Sequence, residues 1–138
     1  MKSLLRIAIA GGLVSISASA FALSVEEFIQ RTANIQTMDA GMLHPNVTII
    51  QYQGNNLVSA NKQQYVQQLK QIKASGGTSE LTDFKMLSKQ EAGEFVSVVY
   101  RFKSTFKMGS TVMTSELTLH DVLQKTGSGF LLLFSVSK

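Results

Sequence analysis

Few residues in this sequence can do chemistry near neutral pH. Two histidines and nine acidic residues are spread over 138 positions, and there is no cysteine. That excludes disulfides, thiolate metal sites, thiol nucleophiles and a lipidated-cysteine anchor. His44 and His120 are the first candidates for acid–base or metal chemistry. His44 precedes Pro45, which pushes it into an extended conformation, so its simpler role is structural. His120 and Asp121 are neighbours, and on a strand their side chains point to opposite faces, so they form no simple dyad. Glu116 and His120 share a face but stand about 13 Å apart at strand rise, too far to hold one metal. Asp39 is a candidate base whose simpler role is to cap a short helical turn. No phosphate loop, serine-hydrolase elbow or zinc helix is present, and neither a metal nor a cofactor is expected.

Aromatic residues offer more. Tyr52, Tyr65 and Tyr100 can each present a hydroxyl inside an apolar cavity. Tyr100 shares a strand face with Val96, Val98 and Phe102, and Tyr65 lies in a helical apolar stripe. With Phe28, these residues (Tyr52, Tyr65, Tyr100, Phe102) are the expected wall of a ligand pocket; the plainer alternative is core packing. Thr114, Glu116, Thr118 and His120 form a polar stripe read as solvent-facing.

These side chains need elements to position them. Ser24-Val25-Glu26-Glu27 is a capping box, and Val25, Phe28, Ile29, Thr32 and Ile35 recur at helical spacing, so a helix is expected from Ser24 to Gln36. Val47 to Tyr52 reads as a β-branched strand, and after Gly54-Asn55-Asn56 the pair Leu57-Val58 turns back on it. A second helix is expected over Lys62 to Ala74, with Tyr65, Val66, Leu69 and Ile72 as its stripe. Four strands are expected over Thr78 to Ser88, Phe95 to Lys103, Thr111 to Leu123 and Phe130 to Val136. Their short connections favour an antiparallel meander. The fold class is α+β: a curved antiparallel sheet of five to six strands with helices on one face. Arg101, Lys103 and Lys107 are read as a solvated strand edge that discourages pairing. In the last strand, Phe130, Leu132, Phe134 and Val136 should share one face and Leu131 and Leu133 the other. Apolar groups on both faces ask for a second cover, and a homodimer is the economical one.

The first 22 residues read as a removable export signal. Lys2 and Arg6 precede an apolar stretch from Ile7 to Ile16, and Ala20-Phe21-Ala22 fits a small-x-small cleavage site. The expected location is periplasmic or secreted, with no membrane anchor once the signal is gone. Its removal lowers the formal net charge of +4 by two. That small charge, without interleaved stacking aromatics, argues against a nucleic-acid partner. Residues 23–138 then make one domain, able to bury roughly two-thirds of its unfolded surface.

The order of elements resembles the nuclear transport factor 2-like superfamily, which includes SnoaL-like cyclases, ketosteroid isomerase and scytalone dehydratase. Met38 to Ile49 is similar to that family's segment joining the first helix to the first strand, and Gly54 followed by the Asn61 to Ile72 helix is similar too. The resemblance implies a cone-shaped fold with a pocket between sheet and helices, and dimerisation through the open sheet face. It also implies, for isomerase-like members, an aspartate base on the first strand. Gln51 stands there instead, and glutamine cannot take up and return a proton at neutral pH. The leading expectation is therefore an exported, non-catalytic module binding a small apolar or amphipathic ligand. Two alternatives are an enzyme using Asp39 or His44 as base with tyrosines as donors, and an interaction domain with no ligand.

Overall fold

In the computed structural model, which describes residues 23–138, helix α1 spans Val25–Ala33. The Ser24 hydroxyl accepts from the Glu27 amide and the Glu27 carboxylate accepts from the Ser24 amide, so the expected capping box closes. The helix stops earlier than its apolar spacing suggests. Asn34 is extended, and its side-chain oxygen accepts from the Gln36 amide, offering the backbone a turn in place of another helical bond. A single 3-10 turn, Ala40–Met42, leads into strand β1, Leu43–Gln53. Pro45 lies where the pairing register of β1 breaks, between Leu43 and Thr48, a place that tolerates its missing donor. Strand β2, Asn56–Ala60, folds back on β1, and helix α2 follows over Lys62–Ala74. Asn61 and Gln64 cap α2 reciprocally.

Four long strands complete the sheet: β3 (Thr78–Ala92), β4 (Phe95–Met108), β5 (Thr111–Thr126) and β6 (Gly129–Ser137). They form the antiparallel meander read from their short connections. β3 and β4 extend past their expected ends into two-residue turns. Gly93 and Gly109 open those turns at φ of +62°, the sign such tight hairpins require. The added end of β3, residues 89–92, is exposed and mostly polar, so hydrophobic alternation could not reveal it; the added end of β4, residues 104–108, is half-buried to exposed and keeps Phe106 and Met108 at alternate positions.

The sheet order is β2-β1-β6-β5-β4-β3. β1 and β6 run parallel, a pairing possible only because most of the chain lies between them. β4 is thus interior and not an edge; Arg101 and Lys103 meet Glu116 and Asp83 across its two neighbours. Both helices lie over one face. That face carries the core, with Val96, Val98, Tyr100, Phe102, Leu123 and Leu132 of the sheet packed with Val25, Phe28, Ile29 and Leu69 of the helices.

One irregularity decides which residues face the core. The β5–β6 register shifts between Val122 and Leu123: Val122 pairs with Phe134, but Leu123 pairs with Leu132. Leu133 is the extra residue of a β-bulge, and alternation changes phase across it. Phe130 and Leu132 share the helix-facing side, whereas Phe134 and Val136 turn outward and Ser135 and Ser137 turn inward. The expectation that all four apolar residues share one face is corrected by that single insertion.

Candidate functional site

Alternation along β5 places Leu117, Leu119, Asp121 and Leu123 on the helix-facing side, because each pairs with an inward residue of β4 or β6. Three leucines are ordinary there; the acid is not. Asp121 is 1% exposed. Tyr100, fully buried on β4, donates its hydroxyl to Asp121 Oδ2 at 2.6 Å, and Ser135 on β6 donates to Oδ1 at 2.6 Å. Both bonds are short, as expected when a carboxylate accepts. Ser135 reaches Asp121 because the bulge turns it inward and the register sets it directly opposite.

This trio forms one side of a partly open cavity of about 120 Å³ between sheet and helices. Gln51 and Ile49 of β1 and Ser137 of β6 add to its floor, and Phe102, Leu117, Leu119 and Leu132 supply apolar wall. Tyr65 of α2 and Thr32 and Ala33 of α1 close it from above. Thr32 spends its hydroxyl on the Ile29 carbonyl of its own helix. The volume is well below the ~300–1,000 Å³ of sites for drug-sized molecules. At ~30 Å³ of liquid volume per water it equals about four waters.

Burial dominates the electrostatics. Loss of hydration pushes the Asp121 carboxyl up from 3.8 to about 6, and the hydroxyls of Ser135 and Tyr100 pull back only partly. The Tyr100 hydroxyl is raised well above its ordinary value, first by burial and then by the Asp121 charge, so it stays a donor. Tyr65 is raised for the same two reasons in the same order. At pH 7 the cavity therefore holds a mostly ionised carboxylate served by neutral hydroxyls.

The expected site residues divide three ways. Tyr65, Tyr100 and Phe102 line this cavity together. Phe28 is buried but packs its ring 5.7 Å from that of Phe130, by a separate small pocket at the far end of α1. Tyr52 is corrected: it is 46% exposed on the outer face of β1, with the Lys138 ammonium 5.9 Å above its ring. Neither candidate base reaches the cavity. Asp39 is exposed and caps the 3-10 turn through the Gly41 amide, and His44 Nδ1 accepts from the Asn46 amide. His120 points away from Asp121, and its Nε2 lies 2.9 Å from the Ser97 hydroxyl on the outer face. No group of three metal-ligating residues occurs among the described residues. A wider open groove of about 860 Å³ between β1 and α2 is lined by amides and by Lys62 and Lys70, and holds no buried titratable group.

Asp121 and Ser135 were not among the expected site residues. A signal for Asp121 exists, a single acid in a row of alternate leucines; none exists for Ser135, whose inward turn depends on the bulge.

No family model matches this sequence, and no curated protein matches it either. Solved structures do match. A nuclear transport factor 2-like protein of unknown function in nutrient uptake, from Rhodospirillum rubrum, superposes with a TM-score of 0.65 at 15% identity, covering 89% of this chain and 98% of that one. A nuclear transport factor 2-like protein from Cytophaga hutchinsonii gives 0.59 at 11% identity over 82% and 90%. The beta subunit of the benzoate 1,2-dioxygenase from Burkholderia mallei gives 0.60 at 10% identity over 91% of each chain. Identities this low speak for architecture alone, and they agree with the curved six-stranded sheet and paired helices described above: the chain has the nuclear transport factor 2-like fold.

Proposed function

We propose that this protein is an exported, non-catalytic binding module that holds a small amphipathic ligand in the cavity between sheet and helices. One observation carries the reading: a buried carboxylate, held by Tyr100 and Ser135, set into a wall of mixed apolar and uncharged polar side chains. Pockets that combine apolar lining with a few fixed polar groups are suited to orienting a bound molecule. The size of the cavity limits that molecule to a few non-hydrogen atoms. Export rests on the sequence of residues 1–22, which lie outside the described residues. Among the described residues, no helix is long and apolar enough to cross a membrane.

A homodimer through the outer sheet face belongs to the same proposal. The registers set Ile50, Val136, His120 and Val99 in one row across four strands, and Thr48, Phe134, Val122 and Ser97 in the next. Six of these eight are uncharged aliphatic, aromatic or threonine side chains, and the outward turn of Phe134 and Val136 enriches the face beyond what the sequence suggested.

Native mass spectrometry of the mature protein, purified from the export compartment, tests the proposal. A reproducible small added mass supports binding, and a dimer supports the sheet interface. A clean spectrum after gentle handling, unchanged by soaking in small amphiphiles, would count against a ligand. A catalytic reading has one point in its favour, since a carboxyl near pH 6 beside tyrosine hydroxyls is suited to proton transfer. Turnover of the captured molecule, abolished by Asp121→Asn, would establish it.

A further inference from the structure

The small-ligand reading above leaves the kind of ligand open, and the charge of the cavity addresses it. Asp121 is buried with two hydroxyl donors and no cation: none of the residues lining the cavity is lysine, arginine or histidine. Hydroxyl groups stabilise a carboxylate without cancelling its charge. A buried ion normally has a counter-ion, because desolvation is otherwise too expensive. Each oxygen of an ionised carboxylate can accept two hydrogen bonds, and here each accepts one from a described side chain. Acceptor capacity therefore remains on a group that lines the cavity.

The donors point the same way. Tyr100 and Ser135 spend their hydroxyl protons on Asp121, so a carbonyl or an anion entering beside Asp121 meets a negative charge whose two nearest donors are already used, with only Tyr65, Gln51 and Ser137 left to donate from elsewhere in the lining. The surrounding wall contains three aromatic rings, Tyr65, Tyr100 and Phe102, with the last two stacked at 6.0 Å. Aromatic faces attract cations, most strongly when water is excluded. We propose that the cavity recognises a compact organic ammonium ion, its N–H groups directed to Asp121 and its carbon skeleton held against Tyr65, Tyr100 and Phe102. This inference rests on the reading of the cavity as a ligand site.

The test is an NMR titration of the mature protein at pH 7.5 with ethylammonium chloride, with potassium chloride at equal ionic strength, and with 1-propanol as a neutral molecule of similar size. Saturable shifts confined to the amides of residues around Tyr100, Asp121 and Ser135 are expected with ethylammonium. The dissociation constant should be on the order of 1 mM, about the limit for three non-hydrogen atoms. Binding of 1-propanol should be at least about tenfold weaker, and Asp121→Asn should weaken ethylammonium by a similar factor, as loss of a buried charge-assisted bond predicts. Equal binding of 1-propanol and ethylammonium would overturn the ammonium inference while leaving a ligand pocket. Binding of neither would overturn both. The same saturable shifts with potassium chloride would identify an alkali-ion site and overturn the inference. Unchanged ethylammonium affinity in Asp121→Asn would remove Asp121 as the anchor; should that variant fail to fold, the comparison of ethylammonium with 1-propanol on the wild type decides.

Discussion

Replacing Asp121 by asparagine removes a buried charge and keeps nearly the same shape. The folded carboxyl titrates at about 6 against 3.8 ordinarily. Its folded value lies above its unfolded one, so its contribution to stability is complete below pH 3.8 and is lost as pH rises through about 6. At ~1.4 kcal/mol per tenfold change in proton affinity, the loss at pH 7 is about 3 kcal/mol. Asparagine resembles the protonated acid: one oxygen accepts from a hydroxyl, and the amide donates to the other. Asp121→Asn should therefore be more stable than wild type at pH 7 by up to about 3 kcal/mol, and equal to it near pH 3.5. For a chain of this size that is about 10 °C in melting temperature. Urea denaturation of both proteins from pH 3.5 to 8 measures it, and the difference between them isolates this residue. Glu91, held low by Lys125, shifts the opposite way but is common to both proteins and cancels. Identical stabilities at pH 7, or a variant less stable there than wild type, would refute the claim that desolvation outweighs the two hydroxyls.

Other perturbations have equally definite outcomes. Tyr100→Phe strips Asp121 Oδ2 of its donor; urea melts should show a loss of about 1–3 kcal/mol, and carbon NMR should show the Asp121 carboxyl moving still higher. Phe134→Lys puts a charge in the centre of the outer face, and light scattering should find a monomer with unchanged circular dichroism; a persistent dimer would place the interface elsewhere. Asn61→Ala deletes the side-chain oxygen that accepts from the Gln64 amide while keeping the backbone N–H that donates to Gln64, and chemical denaturation should register about 1 kcal/mol. Gly77→Ala would bring a Cβ within 2.6 Å of the Ile72 side chain and 3.0 Å of its carbonyl oxygen, so thermal melts should fall by the equivalent of about 1–3 kcal/mol.

The sequence carries the fold more openly than the site. The capping box at Ser24, the two helical stripes and four alternating runs separated by glycine turns are local signals, and the structure contains each. Parallel pairing of β1 with β6 left no local mark, because it joins segments from opposite ends of the described chain. For the site, a period of two was both guide and trap. It places Tyr100 and Phe102 correctly, and it could have excluded Tyr52, since Gln51 and Tyr52 are neighbours and only one can face inward. It also marks Asp121 as the one acid among alternate leucines. Past Leu133 the rule fails, since an inserted residue reverses every later side chain. Ser135 became legible only once the register was known.

The parallel seam between β1 and β6 also orders events in time. β3 to β6 are joined by two-residue turns, and each can zip onto its predecessor as a hairpin. The hairpin of β1 and β2 must instead wait for β6, the last strand of the described chain, before it joins the other strands, and loop closure over such a span is slow. Gln51 and Ile49 come with β1, so the cavity is predicted to be the last part of the molecule to form. Pulse-labelled hydrogen exchange during refolding should then protect β4 and β5 amides before those of β1; simultaneous protection would contradict it. A chain threaded through a channel from its N-terminus would hold its β1–β2 hairpin and second helix undocked from the rest of the sheet until β6 emerged.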